Sequence, residues 1–530
     1  MGECYITRRG TKTGGATEQL GIYPTGSDGR PTGNVTVLDN VTALSKYPFI
    51  ENDNVLTIAL PENLRGLADY CFQKCTSLQE IKISNEVSVI PQYCFDGCTS
   101  MSKIALSKNL TEISSYALQN CSTLRTITIP DEITSLVIKG YAFTGCSLLT
   151  NETVSKLAQL VQGSVYTYAF CGLTGITEVT TSYTNDYYFN DCTNLKKVII
   201  LNPLSGGGFG QRVFRNCTNL TTVVLPDNAT KLNDYMFYGN TSLKNVNIPI
   251  SLTSIGSYAF CNTGIDNITL PDTLTTISSN AFNGCTKLTS INIPDKVTTI
   301  ANEAFYNCPN LTSVIVSENA NYTLGQYAFQ SSGITDACVA DIISHASLVY
   351  ECIFDKCNSL ANVEVKYFWT RMFSNCTNLK TAKSKSTGTG GSTGDNVFQD
   401  DTALETVILS DETTTIGTNV FYDCISLKTV YLPSSITTAT YSSLTSTSSS
   451  YYVFYNCTAL EDVQLGQDWN MSLRLNVSNN LTVDSMVAMF NSLKDLTGDT
   501  AKTLTLGSTN LAKLTDEQKL IATNKNWTLA

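Results

Sequence analysis

The residues of this sequence best suited to chemistry are its 19 cysteines, because thiols bind soft metals, form disulfides and act as nucleophiles when activated. Twelve of them stand three residues after an anchor residue that is almost always phenylalanine. One cysteine per repeat at a fixed place predicts a row of small buried thiols, whereas a secreted disulfide framework has irregular pairs. We call this row the cysteine ladder: Cys75, Cys98, Cys121, Cys146, Cys192, Cys217, Cys285, Cys308, Cys357, Cys376, Cys424 and Cys457.

Six repeats carry a different residue at the ladder position, so pairing between cysteines is not obligatory: Asn52, Leu173, Asn240, Thr263, Ser332 and Asp401. Disulfides between neighbouring ladder thiols stay open as an alternative, but the fixed position favours reduced thiols and a reducing or anaerobic setting. Cys71 and Cys94 each precede a ladder cysteine by four residues without a histidine partner, which argues against a zinc site. We predict no metal and no cofactor.

The sequence has one histidine, His345, which follows Ile342 and Ile343 in a helical pattern. A histidine without a patterned acid or thiol partner is weak evidence for a general base. No nucleophile elbow, zinc-type histidine pair or phosphate loop accompanies it. The glycine run 206–210 lies in a lengthened stretch between two anchors and predicts a bulged loop. We therefore predict no catalytic residue and no enzymatic activity.

Loops that depart from the repeat are the candidate ligand contacts, because tyrosine with serine, glycine and asparagine makes adaptable recognition surfaces. One is a tyrosine-rich stretch near residue 185, and two are insertions at 383–394 and 437–452. The alternative is that these loops are exposed connections that bind nothing. The candidate contact residues are Tyr183, Tyr187, Tyr188, Lys383, Lys385, Tyr441, Tyr451 and Tyr452.

The elements that must position these residues repeat along the chain, most often with a step of 23 residues. Of 18 repeats, 16 carry Leu, Met, Ile or Val six residues after the anchor, and the other two carry isoleucine one place earlier. The anchors are Phe49, Phe72, Phe95, Leu118, Phe143, Phe170, Phe189, Phe214, Phe237, Phe260, Phe282, Phe305, Phe329, Phe354, Phe373, Phe398, Phe421 and Phe454.

The repeats end in a pattern of the type Leu-x-x-Ile-x-Ile, often followed by Pro, which is typical of a short strand with one buried face followed by a turn. A unit of this length cannot bury its own apolar face, but stacked units can. The sequence therefore predicts a β-rich leucine-rich-repeat solenoid of about 18 coils of roughly 23 residues, with strands pairing from coil to coil.

Three segments break the repeat with helical spacing after a threonine that can cap a helix, at 149–158, 334–343 and 481–490. The third opens a predicted helix-strand-helix cap, 471–530, in which Thr515 and Gln518 have capping-box spacing. The predicted solenoid spans 36–470. The Gly- and Thr-rich residues 1–35 are either a disordered leader or an attachment segment.

The composition narrows the partners. With 34 Lys and Arg against 45 Asp and Glu, the net charge is −11, and no basic cluster fits a nucleic acid. No apolar run is long enough for membrane insertion. The N-terminus lacks the order of a signal peptide, so we expect synthesis in a cytoplasm.

The repeat resembles the BspA-type leucine-rich repeats of microbial surface proteins, as in Ile255-Gly-Ser-Tyr-Ala-Phe260 and Ile291-Asn-Ile-Pro294. The resemblance covers about residues 36–465 and implies a solenoid that adheres to host or microbial surfaces. The opening Cys4–Gly10 is similar to starts of tail or fibre proteins of phages of gut bacteria, and the C-terminal cap is similar to segments of such proteins.

The resulting hypothesis is a non-enzymatic recognition rod, a virion-displayed tail fibre or receptor-binding protein that contacts a bacterial or host surface protein or glycan. Residues 1–35 would join it to a virion or another assembly. The alternatives are a bacterial cell-surface adhesin of the same repeat family and a purely structural spacer subunit. The expected location is a virion or a microbial cell surface.

Overall fold

The computed structural model describes residues 21–22, 26–27, 30–44, 46–161, 167–385 and 391–530. The chain is a parallel β-solenoid of about 21 turns with few helices. It divides into two compact units, unit 1 (Met1–Ile265) and unit 2 (Asp266–Ala530). The predicted fold class is confirmed, although the turns outnumber the 18 predicted coils.

One coil of unit 2 shows how the repeat sequence folds. Its longer strand, Ser290–Ile293, alternates half-buried and buried side chains, which gives a sheet with one face in the core. Pro294 then turns the chain, and its carbonyl accepts the backbone N–H of Val297 at 3.1 Å. A shorter strand, Thr299–Ile300, follows, and Phe305 anchors the third side. Each coil thus has a long-strand side, a short-strand side and an anchor side.

Unit 1 begins with β1 (Gly21–Ile22), which pairs antiparallel with β2. Its long-strand side comprises β2 (Gly33–Val37), β3 (Val55–Ala59), β4 (Glu80–Lys82), β6 (Lys103–Ala105), β8 (Thr126–Thr128), β10 (Glu178–Thr181), β11 (Lys197–Ile200), β12 (Thr222–Val224) and β14 (Asn245–Val246). Its short-strand side comprises β5 (Val89–Ile90), β7 (Glu112–Ile113), β9 (Val137–Ile138), β13 (Lys231–Leu232) and β15 (Ser254–Ile255). The pairing between coils is parallel, as where Ile104 of β6 lies opposite Ile127 of β8.

Unit 2 repeats this plan. Its long-strand side comprises β16 (Asn267–Ile268), β18 (Ser290–Ile293), β20 (Ser313–Val316), β23 (Asn362–Val365), β24 (Thr381–Ser384), β26 (Thr406–Ile408), β28 (Thr429–Leu432) and β30 (Asp462–Leu465). Its short-strand side comprises β17 (Thr276–Ile277), β19 (Thr299–Ile300), β21 (Tyr322–Leu324), β22 (Ala346–Val349), β25 (Gly391–Ser392), β27 (Thr413–Ile416) and β29 (Thr438–Ala439), followed by a 3-10 turn, Thr440–Ser442.

Three helices each take the place of a long strand. They are α1 (Asn151–Leu160) beside β10, α2 (Asp336–Ser344) between β20 and β23, and α3 (Val483–Ser492) beside β30. All three begin directly after the threonine predicted from the sequence. Thr150 and Thr482 accept a backbone N–H of the first helical turn, whereas Thr335 does not. The helical segments therefore interrupt the pattern of strands but not the stack of coils within each unit.

The parallel arrangement continues beyond residue 470. The strands β31 (Leu473–Arg474), β32 (Lys502–Thr505) and β33 (Trp527–Leu529) pair in parallel, with α4 (Ser508–Leu511) and α5 (Asp516–Thr523) between β32 and β33. The capping box of α5 forms between Thr515 and Gln518 as predicted. These strands and β2 add turns beyond the 18 anchored repeats. The domain boundaries predicted after residues 35 and 470 stay predictions.

The core of each unit is built on the anchors. Neighbouring phenylalanine rings are stacked, with centroids 5.1–5.9 Å apart in unit 1 and 5.1–6.1 Å apart in unit 2. Leu118 fills the same place in one coil and is fully buried. Offset stacking of aromatic rings adds to the free energy gained by burying them. The same ring at the same place in successive coils therefore fixes the register of the stack.

Candidate functional site

The anchor side has its own backbone hydrogen bonds between coils. Phe72 donates its N–H to the carbonyl of Cys94 at 2.8 Å, and Lys74 donates to the carbonyl of Asp96. Residues two places before and two places after the anchor, such as Tyr70 and Lys74, have a left-handed backbone with φ of 61° and 55°. Two left-handed residues per coil keep the chain turning tightly around each anchor.

The cysteine ladder lies behind this side, and all twelve of its thiols are buried. At least eleven of them donate to the carbonyl of the anchor in the preceding coil, at sulfur–oxygen distances of 3.0–3.3 Å. Burial raises the pKa of the Cys98, Cys192 and Cys424 thiols well above the usual range. A neutral thiol is a poor nucleophile and a poor metal ligand, so the ladder contributes to packing. No group of three or more metal-ligating side chains occurs among the described residues.

Two substituted ladder positions hold polar groups that burial leaves partly unpaired. Asn240 in unit 1 is fully buried, and neither atom of its side-chain amide has a hydrogen-bond partner among the described residues. Asp401 in unit 2 is fully buried as well. One carboxyl oxygen accepts the N–H of Cys376 at 2.6 Å, and the other has no partner in the described residues. Burial raises the pKa of Asp401 well above its usual range, because the charged carboxylate loses its solvation in the core.

The surface of the anchor side in unit 1 carries a row of aromatic residues that the sequence reasoning missed. In ten consecutive coils the residue two places before the anchor is tyrosine nine times and arginine once. The signal was present in the sequence as tyrosine recurring with the step of the anchors. We call this row the tyrosine column: Tyr47, Tyr70, Tyr93, Tyr116, Tyr141, Tyr168, Tyr187, Arg212, Tyr235 and Tyr258.

The side chains of the column stack on one another. Seven rings from Tyr47 to Tyr187 follow at centroid distances of 4.2–5.4 Å, with planes within 30° of parallel. The Arg212 guanidinium then lies 5.2 Å from the ring of Tyr187 and 4.4 Å from that of Tyr235. It therefore replaces a ring by cation–π contacts on both faces. The stack resumes between Tyr235 and Tyr258 at 4.7 Å.

Because each ring covers the faces of its neighbours, the column presents ring edges and hydroxyl groups to solvent. Tyr47 is 49% exposed, and the others are half-buried. Partial burial and a hydrogen bond with Tyr187 raise the pKa of the Tyr168 phenol, so this hydroxyl stays neutral at physiological pH. A neutral phenol donates one hydrogen bond and accepts others. The column is thus a row of hydrogen-bonding groups with one group per coil.

The three tyrosines of the first predicted contact loop differ in their exposure to solvent. Tyr187 belongs to the tyrosine column, and Tyr183 is half-buried. Tyr188 is only 1% exposed, packs edge-on against Phe170, and has no hydrogen-bond partner for its hydroxyl among the described residues. Consecutive residues of this segment point to opposite sides of the chain, so Tyr187 faces solvent and Tyr188 faces the core. We therefore remove Tyr188 from the candidate contacts.

The other two loops lie in unit 2. Tyr441 and Tyr451 are exposed and have ring centroids 5.1 Å apart, whereas Tyr452 is 3% exposed and donates its hydroxyl to the carbonyl of Arg474. We remove Tyr452 from the candidate contacts because its side chain is part of the core. Lys383 and Lys385 are exposed at the end of β24. Residues 386–390 of that insertion lie outside the described residues.

The two remaining sequence features have ordinary structural roles. His345 is the C-terminal cap residue of α2, and its ring Nδ1 lies 2.9 Å from the carbonyl oxygen of Asp341. Gly206 and Gly207 have positive φ in a turn closed by a hydrogen bond from Gly207 N–H to the carbonyl of Leu204. The glycine run is a bulged loop, as predicted.

Comparison with known families decides the identity of the repeat. The family model of the BspA type leucine rich repeat region (6 copies) matches residues 31–150, 135–244, 207–335, 338–449 and 392–478. These matches cover most of the chain. The chain belongs to the BspA-type leucine-rich repeat family. Proteins of this family are typically found at the cell surface, and leucine-rich-repeat proteins generally act as non-enzymatic binding scaffolds and mediate protein–protein interactions.

Solved structures of this class are similar to the chain. A leucine-rich repeat protein from Bacteroides ovatus is 20% identical over 81% of this chain and 93% of its own, with a TM-score of 0.39. A leucine rich cell surface protein from Faecalibacterium prausnitzii is 20% identical over 86% and 95%, with a TM-score of 0.28. The pneumococcal vaccine antigen PcpA is 15% identical over 73% and 86%, with a TM-score of 0.30.

No curated protein sequence matches the chain. Among the described residues, no helix combines the length and the apolar character needed to cross a membrane.

Proposed function

We propose that this chain is a non-enzymatic recognition protein that binds a surface protein or glycan through the outer sides of its repeats. Its membership of the BspA-type family across residues 31–478 carries this proposal. The burial of the thiols supports it as well, because the reactive groups of the repeat are occupied inside the stack. The surfaces available for contact are the solvent-facing side chains of each coil and the loops that project from it.

Retention on surfaces tests the proposal. The full chain is incubated with intact bacteria of several gut genera and with host epithelial cells, and the retained fraction is measured after washing. A globular protein of similar size and net charge serves as the control. We expect saturable retention on at least one cell type. Absence of retention on every cell type would contradict a recognition function.

The absence of catalysis is a separate part of the proposal. A screen with ester, glycoside, peptide and phosphate substrates should give no turnover, because the buried ladder thiols are held neutral. A His345→Gln variant serves as the comparison. Turnover that this variant loses would make His345 a catalytic base and overturn the proposal.

The setting in which the protein is displayed is the narrower part of the proposal. Display on a virion rests on the similarity of residues 4–10 to phage tail proteins, and these residues lie outside the described part of the chain. Display on a bacterial cell rests on the typical cell-surface location of proteins in this family. Gold-labelled antibodies against residues 36–470 would mark tail structures of phage particles in the first case and cell envelopes in the second.

The attachment role of residues 1–35 and the spacer alternative are tested together. Light scattering compares the full chain with a chain that lacks residues 1–35. Loss of assembly with unchanged retention on cells would support attachment through this segment. Assembly of the full chain without retention on any cell would favour a spacer subunit.

A further inference from the structure

The tyrosine column differs from the predicted loops because it presents one group per coil in a continuous stack. Its rings follow at 4.2–5.4 Å from Tyr47 to Tyr187, and the spacing is that of the coils themselves. The surface of a globular, non-repeat protein does not present one group at such regular intervals. A polymer whose units have a similar length meets the same contact at each coil.

The exposed groups of the tyrosine column form hydrogen bonds, and the cations beside the column carry little free positive charge. Lys46 pairs with Asp69 at 3.1 Å, Lys74 pairs with Glu51 at 3.0 Å, and the Arg212 guanidinium lies between two rings. These cations are therefore engaged within the protein. An anionic polymer would be repelled by the protein, because the net charge of the chain is −11.

Amide and carboxylate groups lie next to the rings. Gln73 donates its side-chain amide to Asp96 at 3.0 Å, and Asn120 donates to the other oxygen of the same carboxylate at 3.3 Å. The backbone N–H of Asp96 donates to the carbonyl of Tyr93 at 3.3 Å, which links this cluster to the column. Asp96 is buried and these amides occupy both of its oxygens, so the phenol hydroxyls, which donate and accept, are the groups that a ligand rich in hydroxyl groups would meet.

The faces of the rings are occupied by their neighbours, so the column does not offer open aromatic platforms. A flat aromatic ligand would therefore gain little affinity from the column. A ligand that forms hydrogen bonds along the row would gain the most affinity. One sugar ring with its bridging oxygen spans about the spacing of one coil. An extended, uncharged polysaccharide thus satisfies the spacing, the charge and the hydrogen-bonding character together.

From these observations we propose that the tyrosine column binds an extended neutral polysaccharide along unit 1, with one sugar unit per coil. This inference rests on the proposed recognition function and assigns it a surface and a ligand class. The central part of the column, Tyr93, Tyr116 and Tyr141, contributes one hydroxyl per coil to the bound chain. Affinity therefore rises with the number of sugars until the column is filled.

The test removes hydroxyl groups and keeps the rings. A triple variant, Tyr93→Phe with Tyr116→Phe and Tyr141→Phe, retains the stack and loses three hydroxyls. The matched control is Tyr422→Phe with Tyr455→Phe, which changes a stacked pair 4.7 Å apart in unit 2. The full chain is titrated by calorimetry with hydroxyethyl cellulose, galactomannan, their oligosaccharides of increasing length, and alginate as an anionic comparison. Circular dichroism checks that each variant is folded.

We expect affinity for a neutral polymer that increases with oligosaccharide length and falls about tenfold or more in the triple variant but not in the control. Equal binding of alginate, affinity independent of length, or full affinity of the triple variant would each overturn the inference.

Retention on intact cells is measured in parallel. Cells that retain the wild type and the triple variant equally, without binding of any neutral polymer, would refute the column as the site. The recognition function would then stand, and loss of retention after protease treatment of the cells would identify a protein as the ligand. Absence of retention on both cells and polymers would refute both proposals.

Discussion

Unit 1 and unit 2 have the same interior and different anchor-side surfaces. In both units the anchors stack, and the ladder thiols donate to the carbonyl of the preceding anchor. Two places before the anchor, unit 1 has the tyrosine column, whereas unit 2 has a mixture. The left-handed residues at this position in unit 2 are Asn280, Glu303, Tyr327, Cys352, Arg371, Asn396 and Asn419.

The difference shows which part of the repeat the fold constrains. An inward side chain must fill a closely packed space of fixed volume, so phenylalanine recurs at the anchor in both units. The outward residue must only tolerate a left-handed backbone, which tyrosine, arginine and asparagine all do here. The interior therefore specifies the solenoid, and the surface position is free to serve recognition.

The largest expected effect is equal loss of stability when an anchor is truncated in either unit. Phe189→Ala and Phe305→Ala each remove a fully buried ring that stacks on two others. We expect each to lower the free energy of unfolding by about 3–5 kcal/mol. Guanidinium unfolding followed by circular dichroism measures this change.

The control for the anchors is Phe→Leu at the same two positions, which should cost much less because Leu118 is accepted in the native stack. Costs for Phe189→Ala and Phe305→Ala that differ by more than about 2 kcal/mol would contradict a shared interior.

The next effect concerns the unpaired polar groups of the ladder, which are an amide in unit 1 and a titratable carboxyl in unit 2. Asn240→Cys in unit 1 and Asp401→Cys in unit 2 restore the thiol of the repeat. Each should raise the free energy of unfolding by about 1–3 kcal/mol at pH 7, because a buried group without a partner is removed. The N–H of Cys376 stays paired in the second variant, since it also donates to the carbonyl of Phe373. A loss of stability in both variants would contradict this account.

Only the Asp401 change should depend on pH. The folded chain holds the pKa of this carboxyl above its unfolded value of about 3.9. Above that pH the unfolded chain releases the proton while the folded chain keeps it, so the wild type loses stability as pH rises towards the raised pKa. The gain from Asp401→Cys should therefore grow from about pH 4 upward, and the gain from Asn240→Cys should stay constant. Glu461→Gln, an exposed change in unit 2, serves as the control.

A smaller effect distinguishes the two surfaces. Tyr116 stacks on Tyr93 at 4.7 Å and on Tyr141 at 5.1 Å. Tyr116→Ala should lower the free energy of unfolding by about 1–2 kcal/mol through the loss of two aromatic pairs. Asn396→Ala at the same position in unit 2 should cost less, because no ring pair is broken. Tyr116→Phe should be nearly neutral. Hydrogen exchange of the flanking coils measures each change, and equal costs in both units would contradict a stacking contribution.

The smallest effect compares the helix caps of α1 and α2. Thr150 accepts the N–H of Thr153 at 3.3 Å, whereas Thr335 makes no such bond. Thr150→Ala should therefore destabilise α1 by about 1 kcal/mol, and Thr335→Ala should destabilise α2 by less. Thr150→Ser should restore most of the loss. Hydrogen exchange within each helix provides the measurement, and a larger cost at Thr335 would show that its contacts outside the cap dominate.

Much of the fold was accessible from the sequence because the interior leaves a periodic trace. The step of the anchors predicted the solenoid, and the threonines before α1, α2 and α3 predicted where each helix begins. The count of coils was too low because the prediction followed the anchors. The strands β31, β32 and β33 stack without an anchor of this kind, so the motif did not reveal them.

The contact loops were less predictable, because exposure depends on the packing of neighbouring coils rather than on the composition of a loop. Tyr187 and Tyr188 are adjacent in a polar stretch, yet one joins a surface stack and the other enters the core. Tyr451 and Tyr452 divide in the same way. Local polarity identified the loops and could not identify the side of the chain to which each ring points.

The sequence by itself determined the family, the phase of the repeat and the residues that fill the interior, since a closely packed core admits only certain volumes at each position. Only the tertiary structure decided that tyrosines some 23 residues apart form one continuous stack along unit 1. Residues far apart in the chain become neighbours through coil stacking, and their shared surface exists only when the coils are in register.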